Sequence, residues 1–502
     1  MSSALPTTAS ASTTANANEI GVLFVDLDGS LIGSNMLVET YLRAIRHDPL
    51  VLVKTPLWLL EGRTAFKCHV AEYPLQDVSG LPYRPEVMTT LQALKREGFR
   101  LVLATASHRT IADQVAKQVG LFDDVLATDE HCNLKGRNKL KAIQEYCRQH
   151  GFNDFAYLGD AWADMPIWEQ AAKIYVVSPS GRMSRRLVEM NRPVETLVPR
   201  RGQWKAYLKA LRPHQWMKNV LVFLPAFLAH NFTFWPMAYA LVAFISFSAC
   251  ASAVYLLNDL LDLDADRRHP TKCRRPFASG RVPLEMGLVA APLLVLFGLG
   301  LSWFTTSTRF PLMLLFYLIS SGLYCFWLKR VALVDVFLLS GLYMLRVQAG
   351  GTASGVEVSE WLLIFSLFFF LSLAFAKRFV ELDRLELSAD SHDTGRGYRM
   401  IDVASLSAMG SAAGYIAVVV LALYINSLKL GQLDGHAKAL YAHPKVLCAL
   451  CPILLFWMSR LWMLARRNEL HDDPVVFALK DRASQLLGLL SVVTVVLAGM
   501  LH

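Results

Sequence analysis

Cysteine is scarce in this chain: eight are scattered over 502 residues, and only Cys448 and Cys451 lie close together. That pair sits in an apolar run with no His or further Cys nearby, so neither a disulfide framework nor a cysteine-held metal is implied, which suits a reducing compartment for the first half. Charge is sparse too, 18% against 54% hydrophobic residues, which excludes a disordered chain and is unusual for a soluble one. The opening MSSALPTTASASTTANAN has no basic stretch and no long apolar core, and reads as a disordered tail over residues 1–18 instead of a signal peptide. Long apolar runs are missing from residues 1–200. From Trp216 onward they recur at lengths of roughly 20, enough to cross about 30 Å of hydrocarbon.

Nine such segments are expected: 217–235, 236–257, 285–304, 311–328, 331–349, 360–377, 405–425, 443–465 and 483–501. With the first half placed in the cytoplasm, the loops on that side hold seventeen Lys and Arg, counting Lys377, and those on the other side three. This bias predicts a cytoplasmic-membrane protein with a cytoplasmic N-terminal domain, cytoplasmic active sites and an external C-terminus. The net charge of +9 follows from that asymmetry and needs no nucleic-acid partner.

The densest charge follows the second segment, in NDLLDLDADRRHPTKCRRPFASG (258–280). Asn258, Asp262 and Asp266 are spaced by four, so a helix would stack them on one face with Asp259 alongside. Clustered carboxylates repel unless a cation lies among them, and Mg²⁺ takes one or two carboxylates plus substrate phosphates. Arg267, Arg268, Lys272, Arg274 and Arg275 then supply grips for a diphosphate. A charge run that only sets topology accounts for the arginines but not for the Asn/Asp spacing.

The pattern N-D-x-x-D-x-x-x-D resembles the first aspartate motif of the UbiA-type intramembrane prenyltransferases, which implies nine helices around a cavity open to cytoplasm and lipid. With LRPHQWMKNVLVF (211–223), YMLRVQAGG (343–351) and AFAKRFVEL (374–382), it resembles the branch that joins phosphoribosyl diphosphate to a polyprenyl phosphate, over residues 204–502. Where prenyl-diphosphate users carry a second aspartate motif, this chain has Lys377, Arg378, Glu381, Asp383 and Arg384, a cationic set suited to phosphate. The resemblance implies that Lys218, Asn219, Tyr324, Lys329 and Asp335 line the same cavity. Arg346, inside a span, must find a partner or a cavity. Asp473 and Asp481, with Lys480 and Arg482, form a rim at most.

The first half has its own constellation. VLFVDLDGS (22–30), LVLATAS (101–107) and FAYLGDAWADMPIW (155–168) read as strands ending in Asp26 and Asp28, in Thr105, and in Asp160 and Asp164, separated by helical patterns. Parallel α/β topology puts these residues at the C-terminal strand ends, where such sheets bind ligands. Their order resembles the haloacid dehalogenase phosphohydrolases over residues 20–190. That implies Asp26 as nucleophile, Asp28 as general acid/base, Thr105 on the phosphoryl oxygens, and Mg²⁺ at Asp26, Asp28, Asp160 and Asp164. Lys139 is the chosen partner cation, with Lys135 and Lys141 as rivals. Ser30 stands where the first motif usually has Thr.

The expected domains are a phosphatase-like domain over 19–190 with a helical cap at about 31–97, a linker over 191–210, and an all-α membrane domain over 211–502. The apolar stretch 49–60 in the cap is too short to span and could touch the membrane interface, although packing within the cap is the simpler expectation. Together the resemblances imply a Mg²⁺-dependent, bifunctional enzyme. It would transfer phosphoribose to a polyprenyl phosphate and then remove the 5-phosphate, with oligomeric state left open. The alternatives are a prenyltransferase for an aromatic or quinone acceptor with an unrelated phosphatase, a lipid transporter, and a scaffold of inert domains.

Overall fold

The computed structural model describes residues 21–500 except 63–64, 67–68, 71, 74–77, 130–132, 200–201, 203, 388–396, 434–440, 442 and 471–473. The expected tail, Asp473 and the side chain of Arg384 lie outside the described residues. The chain forms two compact units: everything up to Ala210 together with Asp259–Leu288, and Leu211–Asn258 together with Val289 onward. Most of the acidic motif thus packs with the first unit.

The first unit is built on six parallel strands in the order β3-β2-β1-β4-β5-β6, where β1 is Val22–Val25, β2 Arg100–His108, β3 Asp124–Thr128, β4 Ala156–Gly159, β5 Lys173–Val177 and β6 Val194–Val198. All four residues of β1 are buried, because a parallel sheet is covered on both faces and its central strands read as unbroken apolar runs. Leu23 and Val25 join the core on one face with Leu101 and Leu103, while Val22 and Phe24 join the opposite core with Val102 and Ala104. After β1 the chain goes outward to β2 and β3, then returns to place β4 on the other flank of β1. The rim beside β1 is therefore the topological switch point, where open α/β sheets bind ligands.

Helices α1 (Met36–His47), α2 (Val51–Leu60), α3 (Pro85–Arg96), α4 (Arg109–Val119), α5 (Arg137–His150) and α6 (Gly181–Glu189) belong to this unit. Asn35 caps α1, its side chain accepting from the Leu37 N–H at 3.0 Å. The simpler expectation for the cap stretch does not hold. Only Val51 of α2 is buried, and Val53 and Leu60 are 73% and 85% exposed, so most of this apolar stretch does not pack within the unit.

In the second unit, seven helices among the described residues are long and apolar enough to cross a membrane, beginning with Phe234–Leu261 and ending with Arg482–Gly499. Two of the nine expected segments differ. The first is no continuous α-helix: Pro213–Phe223 is a 3-10 helix, followed by the short α-helix Leu224–Leu228. The fifth is the helix Val334–Ser354, whose apolar character is interrupted by buried Asp335 and Arg346. These two elements meet closely, since a Cβ on Gly350 would lie 2.1 Å from the Val222 carbonyl oxygen.

Candidate active sites

Asp26 follows β1 directly, its N–H donating to the Leu158 carbonyl at 2.9 Å, and the chain then turns at Gly29 with φ +76°. A Cβ on Gly29 would lie 2.1 Å from Oδ2 of Asp160, so only glycine lets this loop approach the end of β4. Lys139 enters from the first turn of α5. Its ammonium donates to Asp26 Oδ1 at 2.7 Å and to the Tyr157 hydroxyl at 3.0 Å, and lies 3.8 Å from Asp164 Oδ1. The Tyr157 hydroxyl in turn donates to Asp164 at 2.8 Å. Of the three rival lysines, Lys139 is the buried one beside Asp26, whereas Lys135 lines the cavity and Lys141 is exposed.

Both oxygens of Asp28 are engaged, Oδ1 by the Met36 N–H at 2.7 Å and Oδ2 by the Ser107 hydroxyl at 2.9 Å. Buried Thr105 accepts from the Ser107 N–H at 3.0 Å, and Ser30 donates to Asp160 at 3.3 Å. Burial, opposed by Lys139 and reinforced by Asp164, Asp160 and Asp28, pushes the Asp26 carboxyl up to about 8. Burial and the neighbouring Asp164 push Asp160 up to about 7. For Lys139, burial works downward but Asp26 and Asp164 outweigh it, so the ammonium is held above its ordinary value. Asp26, Asp160 and Asp164 each present an oxygen within 4.8 Å of the others. Three hard oxygen donors this close together, two of them held by burial above the ordinary carboxylate range, are a donor set that fits Mg²⁺.

The acidic motif is arranged differently from the expected single helical face. The helix Phe234–Leu261 stops, Asp262 stands at the junction with φ −90° and ψ 12°, and a new helix covers Leu263–Arg268. The Asp266 N–H still donates to the Asp262 carbonyl at 2.8 Å. Arg275 draws two of the carboxylates together, donating to Asp259 at 3.2 Å and to Asp266 at 2.5 Å. Arg275 therefore already neutralises part of this acidic charge, and a divalent ion would have to share Asp259 and Asp266 with it. Arg267, expected to grip phosphate, is instead paired with Glu39 of α1 at 2.6 and 3.1 Å, with side chains only 5% and 1% exposed. Arg43 of α1 holds Asp264 at 2.8 Å, and Lys272 is exposed.

Within the second unit, Lys329 donates to Asn258 at 3.5 Å. Arg346 finds its partners inside the bundle: Asn219 at 2.9 Å, the Leu342 carbonyl at 2.6 Å and the Tyr317 hydroxyl at 3.1 Å, with its guanidinium 4.8 Å from the Tyr317 ring centre. Lys218 lies 5.8 Å from the centre of the Tyr343 ring. Arg378 is enclosed by Asp335, Glu381 and Tyr324, and the Tyr398 hydroxyl donates to the other oxygen of Asp335. Lys377 beside it is half-buried, and Asp481 is held by Arg460 at 2.7 and 3.0 Å.

Sequence reasoning missed Ser107, Tyr157, Glu39 and Tyr398. The first two carried a signal, since Ser107 shares a strand face with Thr105 two residues earlier and Tyr157 shares one with Gly159 beside Asp160. Glu39 and Tyr398 carried none, because their partners lie 228 and 63 residues away.

Residues 219–480, more than half of the chain, match the UbiA prenyltransferase family. The chain belongs to that family. Residues 23–169 match haloacid dehalogenase-like hydrolases, so this UbiA-family chain carries a phosphatase-type domain at its N-terminal side. It is 36% identical over 471 residues to the uncharacterized protein y4nM of Sinorhizobium fredii, covering 93% of this chain and 89% of that one. Decaprenyl-phosphate phosphoribosyltransferases match the UbiA part. That of Mycobacterium tuberculosis is 32% identical over 57% of this chain and 92% of its own length, and that of Corynebacterium glutamicum 41% identical over 35% and 54%. The apolar helices and the family together make this an integral membrane protein that combines a transferase with a phosphatase-type domain.

Proposed function

We propose that the UbiA part transfers phosphoribose from phosphoribosyl diphosphate to a polyprenyl phosphate, and that the N-terminal domain then removes the 5-phosphate to leave polyprenylphosphoryl ribose. The observation that carries this reading is the 32% identity across 92% of a decaprenyl-phosphate phosphoribosyltransferase. The phosphatase-type domain on the same chain supplies the second step. In the transfer, an oxygen of the lipid phosphate bonds to the anomeric carbon as the bond from that carbon to the diphosphate breaks, and inorganic diphosphate leaves. Mg²⁺ at the acidic motif, with Asn258, Asp259, Asp262 and Asp266 as donors, would neutralise that leaving group. Nine membrane segments, with the motif and the first unit on the cytoplasmic side, suit the seventeen-to-three distribution of basic residues.

In the hydrolysis, Asp26 attacks phosphorus and the bond to the ribose oxygen breaks, with Asp28 giving that oxygen its proton. Asp28 then takes a proton from the water that cleaves the aspartyl-phosphate, releasing inorganic phosphate. Lys139 orients Asp26 and opposes the burial that favours its protonated form, while Ser107 and the α1 amide hold Asp28 in place. Mg²⁺ held by Asp26, Asp160 and Asp164 would offset the charge on the phosphoryl oxygens.

The Asp26→Asn protein, given both substrates and Mg²⁺, should accumulate the 5-phosphorylated lipid at the wild-type rate of lipid formation. Identical lipid products from wild type and variant would mean that the hydrolase acts on something else.

A further inference from the structure

The cavity over Asp26 and Asp28 is about 680 Å³, far more than a phosphoryl group occupies and within the range of sites that enclose a whole small molecule. Part of its wall comes from Gly280, Arg281 and Glu285, which follow the acidic motif and fall within the range matched by the UbiA family. This wall is fixed by backbone contact with the loop after Asp28. A Cβ on Gly280 would lie 3.0 Å from the Gly33 carbonyl oxygen, and one on Gly33 would lie 3.2 Å from that of Gly280. The phosphatase-type cavity is therefore completed by the segment that carries the transferase motif.

The cations of this cavity divide into two kinds. Lys139 is bound to Asp26, and Arg84 donates to the Gly29 carbonyl at 3.1 Å. Among the described residues, Arg281 and Lys135 line the same cavity with no side-chain hydrogen bond or ion pair. Two uncommitted cations beyond the pair needed for one phosphoryl group suit a second anion on the same substrate. Glu285 on that wall can accept from sugar hydroxyls, and its charge would disfavour a ligand that brought only anions.

We propose that Arg281, assisted by Lys135, binds a second phosphate of the phosphatase substrate, so that the domain selects a sugar 5-phosphate already esterified to phosphate at its anomeric carbon over the simple monoester. The inference rests on the phosphatase reading above and adds its substrate class and a specificity-determining residue contributed by the UbiA-matched segment.

The test measures phosphate release by the purified full-length protein with Mg²⁺, from ribose 1,5-bisphosphate and from ribose 5-phosphate. Wild type should favour the bisphosphate by at least about tenfold in kcat/KM, as one charge-assisted contact allows. In Arg281→Gln that ratio should collapse toward one, chiefly through KM for the bisphosphate, and Arg281→Lys should retain part of it. Equal use of both compounds by wild type, or an Arg281→Gln protein weakened on both alike so that the ratio survives, would overturn the inference and leave the phosphatase reading standing. Release of phosphate from neither compound, nor from p-nitrophenyl phosphate, would sink both together.

Discussion

Lys139 lies against two buried carboxylates at once, and its removal leaves both without their cation. Lys139→Met should therefore lower stability of the first unit by about 3–5 kcal/mol, the range for a buried pair broken from one side. Thermal unfolding followed by a first-unit probe would show the loss, and added Mg²⁺ should restore part of it. The pH dependence has a definite sign. Asp26 and Asp160 have folded-state values raised from 3.8 to about 8 and about 7, so the folded state without metal binds more protons than the unfolded chain between those limits. Stability of the metal-free protein should then fall as pH rises from about 4 to about 8, with the largest Mg²⁺-induced rise in melting temperature at the upper end. A melting temperature independent of both pH and Mg²⁺ in that window would contradict the geometry assigned to Asp26, Asp160 and Asp164. These residues were legible in the sequence because each follows an apolar strand run, and strand ends on one rim of a parallel sheet converge. Lys139 could not be separated there from Lys135 and Lys141, since the choice depends on which side of α5 faces the sheet.

Helix α1 links two chemistries: its first amide donates to Asp28, Glu39 one turn along holds Arg267, and Arg43 a turn further holds Asp264. Glu39→Gln leaves Arg267 buried without its counter-charge, so amide exchange across Met36–His47 and Leu263–Arg268 should accelerate together. Glu189→Gln, which breaks an exposed pair with Arg186, should leave exchange in both segments unchanged. The close crossing at Gly350 yields a second contrast. Gly350→Ala places a methyl against the Val222 backbone and should lower the melting temperature, whereas Gly341→Ala, on the same helix with open space around it, should not. Neither contact was visible in the one-dimensional pattern. Apolar run length located most membrane segments, but it could not tell the 3-10 path of Pro213–Phe223 from an α-helix. Nor could it foresee that Asp262 ends one helix and precedes the next.

At the scale of the whole molecule, the sequence separated an α/β part from a membrane part because their hydrophobic patterns differ in length, strand runs of a few residues against spans of about 20. It could not reveal that Asp259–Leu288, written between two membrane segments, belongs with the first compact unit. Glu39–Arg267 and Arg43–Asp264 tie that segment to α1, pairs with no local periodicity. Within that unit, Gly280, Arg281 and Glu285, which follow the acidic motif, line the cavity over Asp26. The central claim is the identity of the group that moves. Purified protein with Mg²⁺, phosphoribosyl diphosphate labelled in the ribose and a polyprenyl phosphate should yield labelled lipid, with one inorganic diphosphate released per lipid formed. Label that stays in the aqueous phase while a prenyl chain is transferred from its diphosphate to an acceptor would contradict it.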